Sequence, residues 1–350
     1  MAEYAHGGDL LTARSRYGGV VLDFSTNLNP LGMPPEVRQA AADADGSAYP
    51  DALCRILRQA IAAHDGVEEG QVICGNGAAD LIFRLVFSLQ PQRALLPAPT
   101  FSEYEEALSC VGCQVERYAL DRGRNFDLDQ GFLEAITPGT ELVFLCTPNN
   151  PTGRLISIDL LVEIARRCES LGAVLVVDEC FLPLADGGGA GLAPYLMEFP
   201  NLFLLRAFTK SYAIAGLRLG YGLSADVGLL ERLSGFAQPW SVSSPAQAAG
   251  TAAFTLCPNW PEEARALVAR ERPLLAAGLA ELGCAVVPSQ ANYLLFQTEH
   301  VTDLKEKLLQ RGILIRSCAN YHNLGPDWYR VCVKGGEENR RLLAALKEVL

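Results

Sequence analysis

The chain lacks a basic excess. Its 29 lysines and arginines stand against 40 acidic residues, a formal charge of -11, so it has no broad positive surface for nucleic acid, and any anionic ligand has to be caught locally. No uninterrupted apolar run approaches the roughly 18 residues of a membrane span, and Met1 to His6 has no basic stretch followed by an apolar one. A membrane partner is therefore not expected, and the cytoplasm is the expected compartment. Close cysteine pairs are scarce: of 11 cysteines only Cys110 and Cys113 stand together, and the others lie in runs such as Leu145-Cys146 and Val331-Cys332-Val333. That distribution suits buried thiols in a reducing compartment, with no metal site or disulfide framework. Internal repeats are absent, and the one low-complexity patch, Gly187-Gly188-Gly189-Ala190-Gly191, suits a flexible surface loop. No third glycine completes Gly75-Asn76-Gly77, and no acidic residue follows about 20 positions on to hold a ribose, which disfavours a nicotinamide-dependent dehydrogenase.

What is present is a large globular chain. With 350 residues, 49% of them hydrophobic and 20% charged, it can bury a substantial core and form two or so domains. Short apolar runs, Gln71 to Cys74, Ala94 to Leu96, Leu142 to Cys146, Val174 to Val177 and Leu202 to Leu205, alternate with amphipathic stretches such as Ile158 to Leu171. This order predicts an α/β fold with a mostly parallel sheet of buried strands flanked by helices. After about residue 245 the pattern becomes a long helix, Pro261 to Leu282, then short strands and helices, which suggests a smaller α+β domain. The expected division is an arm and joining segment at 1–40, a large domain at 41–244 and a small domain at 245–350.

Ligands of open α/β sheets gather beyond the carboxyl ends of the strands. Behind the first run, Gly75-Asn76-Gly77-Ala78-Ala79-Asp80 opens a helix, either a phosphate cradle of free N–H groups or a tight turn. Behind Cys146 stands Thr147-Pro148-Asn149-Asn150-Pro151-Thr152-Gly153, which fixes an asparagine amide or is a plain turn. Asp178-Glu179 puts a carboxylate at the end of a buried strand, either paired with a cation such as a protonated pyridine nitrogen or capping a helix. The fourth loop holds Phe208-Thr209-Lys210-Ser211, with Arg218 eight residues after the lysine. Amine, hydroxyl and guanidinium at that spacing suit a phosphorylated aldehyde, pyridoxal phosphate, although each alone is equally a solvated surface group.

Together these motifs, nearly end to end, resemble the fold-type I pyridoxal-phosphate enzymes of the aspartate aminotransferase superfamily. The resemblance implies that Lys210 holds the cofactor aldehyde, Asp178 pairs with the pyridine nitrogen and Asn150 bonds the phenolic oxygen. Phe101 would stack on the ring, and the Gly77 and Ala78 backbone, Thr209 and Arg218 would take the phosphate. Tyr49 in Tyr49-Pro50-Asp51 resembles the tyrosine that reaches the neighbouring subunit's phosphate, which implies a homodimer. Within the superfamily the chain is most similar to the threonine-phosphate decarboxylases of cobalamin biosynthesis and the histidinol-phosphate aminotransferases. His6-Gly7-Gly8, Phe24 to Gly32, and Ile315 to Tyr321 followed by Tyr329-Arg330-Val331 resemble the decarboxylases more. Phe181 does so too, standing where the aminotransferases carry tyrosine. A substrate with both carboxylate and phosphate needs two anion clamps, which His6, Gly7, Asn27, Asn150, Arg316 and Arg330 would supply. On their own residues, His6 is equally part of a mobile terminus and Arg316 a solvated edge charge.

Overall fold

The computed structural model describes residues 6–299 and 301–350, so the first five residues of the expected arm lie outside it. Among the described residues thirteen strands form three sheets: β1 (Leu22–Asp23), β2 (Val72–Gly75), β3 (Arg93–Ala98), β4 (Gln114–Ala119), β5 (Leu142–Cys146), β6 (Val174–Asp178), β7 (Leu202–Ala207), β8 (Gly220–Leu223), β9 (Ala285–Val286), β10 (Tyr293–Gln297), β11 (Ile313–Leu314), β12 (Arg316–Ser317) and β13 (Trp328–Cys332). The main sheet has the order β2-β8-β7-β6-β5-β3-β4 and is parallel except at β8, which runs against both neighbours. A second, antiparallel sheet has the order β12-β13-β10-β9, and β1 pairs in parallel with β11.

The central strands are apolar throughout because both faces are covered. On one face Leu175, Val177, Leu202 and Leu204 pack with Leu161, Ile164 and Ala165 of the helix Ile158–Ser170. Val176, Phe203 and Leu205 point the other way, against Leu81, Leu85 and Tyr104. Successive side chains alternate across a strand, so one apolar run serves two layers. Truncating a core ring such as Phe203 to alanine costs about 3–5 kcal/mol in sites of this kind. The antiparallel sheet packs Leu294, Phe296, Tyr329 and Val331 against Leu275, Leu279 and Leu342 of the helices Trp260–Glu281 and Gly336–Lys347.

Eight of the free cysteines are buried; Cys110 is exposed, and Cys113 and Cys257 are half-buried, so the expectation of buried thiols fails at these three. The glycine-rich patch is also less free than its composition suggests. Arg206 Nη2 donates to the Ala190 carbonyl at 2.6 Å, and Leu192 N donates to Glu179 Oε1 at 2.8 Å, which ties the patch to a buried ion pair. Among the described residues no helix is long and apolar enough to cross a membrane.

Candidate active site

The ends of β2, β5, β6 and β7 deliver their loops to one side of the main sheet. At the end of β6, Asp178 is buried, and each of its oxygens has one donor: Tyr104 Oη at 2.6 Å on Oδ2 and Cys180 N at 2.9 Å on Oδ1. Burial pushes this carboxyl up, while the bonds from Cys180 and Tyr104 and the charge of Lys210 oppose the shift. Burial and the adjacent carboxylate also hold the Tyr104 phenol well above its usual range, so it stays protonated as a donor. A buried carboxylate with two neutral donors still lacks a full countercharge, and a protonated ring nitrogen would supply one.

Lys210 lies on the short helix Phe208–Ser211 directly after β7, half-buried, with its Nζ 5.7 Å from the centre of the Phe181 ring. Loss of water lowers its amine to about 8, helped by the charges of Arg330 and Arg218 and resisted by Cys180 and Asp178. An amine so placed is neutral often enough near physiological pH to attack an aldehyde. The lysine backbone is held from the N-terminal segment: Asn29 N donates to the Lys210 carbonyl at 3.0 Å and Asn29 Nδ2 to that of Ser211 at 2.7 Å.

Of the expected phosphate residues, Gly77 and Arg218 meet. Gly77 has φ 86° and opens the helix Ala78–Leu89. A Cβ on Gly77 would stand 2.6 Å from Arg218 Nη2, and one on Gly220 would run into the Gly77–Ala78 backbone. Only glycine permits both the left-handed turn and the close approach, which brings the guanidinium up to the helix N-terminus, a pairing that suits a phosphate. Thr209, the residue before Lys210, is buried, whereas Arg218 is exposed. Phe101 meets Tyr104 edge-on with centroids 5.6 Å apart.

The two asparagines of the Pro148–Pro151 turn divide their work. Asn149 Nδ2 donates to the Pro99 carbonyl and to Thr152 Oγ1, both at 3.0 Å, and so holds the turn. Asn150 turns instead to the small sheet: its Oδ1 accepts from Arg330 Nη1 and from Tyr321 Oη, the latter at 3.4 Å. Arg330 also donates to the Ser25 carbonyl at 3.0 Å and stands over the Tyr293 ring.

Arg316 and Arg330 face each other as directly paired residues of β12 and β13, and both are buried. Like charges opposed across a strand pair are unfavourable unless an anion lies between them. Two residues after Ser25, which Arg330 binds, Asn27 is buried with neither amide atom bonded, and Arg330 Nε is buried without a partner. Unpaired buried polar groups of this kind are rare in folded proteins and mark a place where a ligand completes the bonding. Gly7 packs so closely on Ser25 that a Cβ would stand 2.9 Å from its carbonyl carbon. His6 meets the Phe101 ring edge at 6.4 Å and pairs through Nε2 with Glu103 Oε1 at 2.9 Å. Tyr49 makes its ring contact elsewhere, on Trp240, and is 78% exposed.

The residues at hand thus fit pyridoxal phosphate by a cradle that a Cβ would fill, an unneutralised buried carboxylate and a depressed lysine. The sequence singles out no role for Tyr104, and it presents Ser25 and Asn29 only as members of the run Phe24 to Gly32. The first is legible in retrospect only as the residue one helical turn after Phe101, and the others only through long-range packing.

Comparison with known proteins agrees. The model of the family "Aminotransferase class I and II" matches residues 20–346. A threonine-phosphate decarboxylase of Salmonella typhimurium is 40% identical over 353 residues, covering 99% of this chain and 96% of that protein. The crystal structure of the histidinol-phosphate aminotransferase from Clostridium acetobutylicum superposes with a TM-score of 0.86 at 27% identity, over 94% of this chain and 99% of that one. L-threonine-O-3-phosphate decarboxylase from Porphyromonas gingivalis, at 23% identity, shares the fold with a TM-score of 0.84, over 94% of this chain and 99% of that one.

Proposed function

The chain belongs to the class I and II aminotransferase family, and from that membership we propose that it decarboxylates L-threonine O-3-phosphate to (R)-1-amino-2-propanol O-2-phosphate, the step its 40%-identical relative is named for. In this reading the reaction serves cobalamin biosynthesis. The observation that carries it is the facing pair Arg316 and Arg330, which suits a substrate bearing two anions, as threonine phosphate does.

When bound, pyridoxal phosphate supplies an aldehyde that joins the substrate amine and a ring that draws electrons from the bonds at Cα. Lys210 Nζ would hold the aldehyde, and it or a nearby acid would return a proton to the substrate Cα. Asp178, fixed by Tyr104 and Cys180, keeps the ring nitrogen protonated. Arg316 and Arg330, with Asn27, Asn150, Gly7 and His6, would hold carboxylate and phosphate and so fix which bond at the substrate Cα is presented for cleavage; orientation selects the reaction. Phe181, buried against Tyr293 at 5.1 Å, offers no hydroxyl at the place where the aminotransferases carry one.

One mixture tests this. Given L-threonine phosphate and no keto acid, the purified holoenzyme is expected to release carbon dioxide in stoichiometric amount with the aminopropanol phosphate. Turnover of histidinol phosphate with 2-oxoglutarate, and none of threonine phosphate, reverses the assignment in favour of the aminotransferase.

The working unit in this reading is a homodimer, each chain made of an arm at 1–40, a large domain at 41–244 and a small domain at 245–350, with Tyr49 reaching the partner's phosphate site. Its support is the exposed apolar side chains Ile56, at 69%, and Leu256, at 64%, which line one open cavity with Tyr49; exposed apolar surface of this kind suits an interface. Sedimentation is expected to give a dimer, and Ile56→Asp with Leu256→Asp to give a monomer that loses its coenzyme on gel filtration. A monomeric wild-type protein at micromolar concentration removes Tyr49 from the site.

A further inference from the structure

The loop that joins β12 to β13, Cys318 to Asp327, is anchored on both sheets. On the small sheet, Cys318 N donates to the Trp328 carbonyl at 2.8 Å and Tyr321 N to the Cys318 carbonyl at 3.0 Å. On the main sheet, Asn323, left-handed at φ 67°, donates through Nδ2 to the carbonyls of Ala98 at 3.1 Å and Leu120 at 2.8 Å, the residues that end β3 and follow β4. The loop is thereby tied down immediately before Pro99-Thr100-Phe101. Asn320, Tyr321, Thr100 and Phe101 line one cavity of about 320 Å³, which places Asn320 beside the ring expected to stack on the coenzyme.

The same loop holds Arg316. Its Nη2 donates to Asn320 Oδ1 at 2.7 Å, and its guanidinium carbon stands 5.4 Å from the centre of the Tyr321 ring, inside the reach of about 6 Å of a cation–π contact. The amide can face Arg316 in one way only, because a guanidinium donates and never accepts, so the atom before it is oxygen. Two consecutive residues of an anchored loop thus hold one guanidinium, the first at a nitrogen and the second over its ring.

We propose that Asn320 is a positioning residue for the second anion of the substrate, aiming Arg316 into the site while leaving the guanidinium its full charge.

The inference rests on the two-arginine clamp, and the chemistry of residue 320 extends it. Buried arginines ordinarily pair with carboxylates, as Arg84 does with Asp80 and Arg206 with Glu179 and Asp65. Among the described residues Arg316 has no carboxylate partner, and its side-chain acceptor is the neutral amide of Asn320. A carboxylate there would make the stronger bond, but it would cancel the attraction that a substrate phosphate or carboxylate needs. Asn320 is exposed, so packing does not demand an amide in preference to an acid. A neutral acceptor orients the arginine without neutralising it.

The test compares Asn320→Ala with Asn320→Asp in the coenzyme-loaded protein, using inorganic phosphate as the probe and its effect on Tm as the measure of binding. Because the position is exposed, both variants should fold, keep the wild-type coenzyme absorbance and still give borohydride fixation at Lys210. Alanine removes one hydrogen bond to a charged group, and the Kd for phosphate and the KM for L-threonine phosphate should rise about ten-fold. Aspartate has nearly the shape of asparagine, yet it should weaken both by roughly a hundred-fold or more, because it neutralises Arg316. A bond of structural value alone gives the opposite order, with aspartate the milder change. That order, or two variants that bind phosphate as the wild type does, overturns the inference and leaves the clamp standing. A wild-type holoenzyme that phosphate does not stabilise removes the clamp and the inference together. If L-threonine phosphate is not turned over, the phosphate comparison decides alone.

Discussion

Lys210→Ala is expected to abolish turnover, with a loss on the order of 10⁴-fold or more, the scale seen when a residue that forms the covalent link is removed. The protein should still fold, because only the half-buried side chain is lost while the Lys210 carbonyl keeps its bonds from Asn29 and Ala213. A readout independent of activity separates chemistry from structure: borohydride should fix the coenzyme covalently to residue 210 of the wild type and to no residue of the variant. The pH dependence adds a second check. An amine lowered to about 8 by burial is increasingly protonated below that value, and only the neutral form attacks. The rate at which coenzyme-free protein takes up pyridoxal phosphate should therefore fall about ten-fold per unit below pH 8 and level off above it. A rate that climbs steadily to pH 10, as an ordinary exposed lysine gives, rejects the desolvated site.

The second large effect belongs to Arg330. Replacing it with glutamine removes the buried guanidinium that binds Asn150 and Ser25 and faces Arg316. Each hydrogen bond to a charged group is worth about 1.5–3 kcal/mol. Losing a bidentate pair to substrate thus comes to about 3–6 kcal/mol, or roughly 10²–10⁴ in kcat/KM. Lysine should recover little of this, because a point charge cannot reproduce the planar fork. Binding is measurable apart from turnover: inorganic phosphate should raise the Tm of the coenzyme-loaded wild type, whose two facing arginines are otherwise unneutralised, and leave that of Arg330→Gln nearly unchanged. An undiminished phosphate response in the variant places the substrate anions elsewhere.

Much of the site can be traced to single residues in the sequence, and the reason is local. Strand ends in a parallel sheet converge, so Gly77, Asn150, Asp178 and Lys210, each just behind an apolar run, meet through the topology alone. The left-handed Gly77 turn and the Asn-Pro turn are likewise written in residue types with few conformations open to them. The limits show in neighbouring residues of equal chemistry. Asn149 and Asn150 are identical in sequence terms, yet one braces its own turn and the other reaches Arg330. Asp178 and Glu179 are consecutive carboxylates, but strand alternation sends the first to Tyr104 and the second to Arg206 on the opposite face.

The amino-acid order by itself determined the layered α/β architecture, the lysine and the carboxylate, because these follow from apolar periodicity and from residues that short loops force to the sheet edge. The tertiary structure alone decided that Arg316 opposes Arg330, that Tyr104 holds Asp178, and that Asn29 fastens the lysine helix from 181 positions away. Those pairings depend on strand register and on packing between distant segments, where a shift of one residue turns every side chain to the other face.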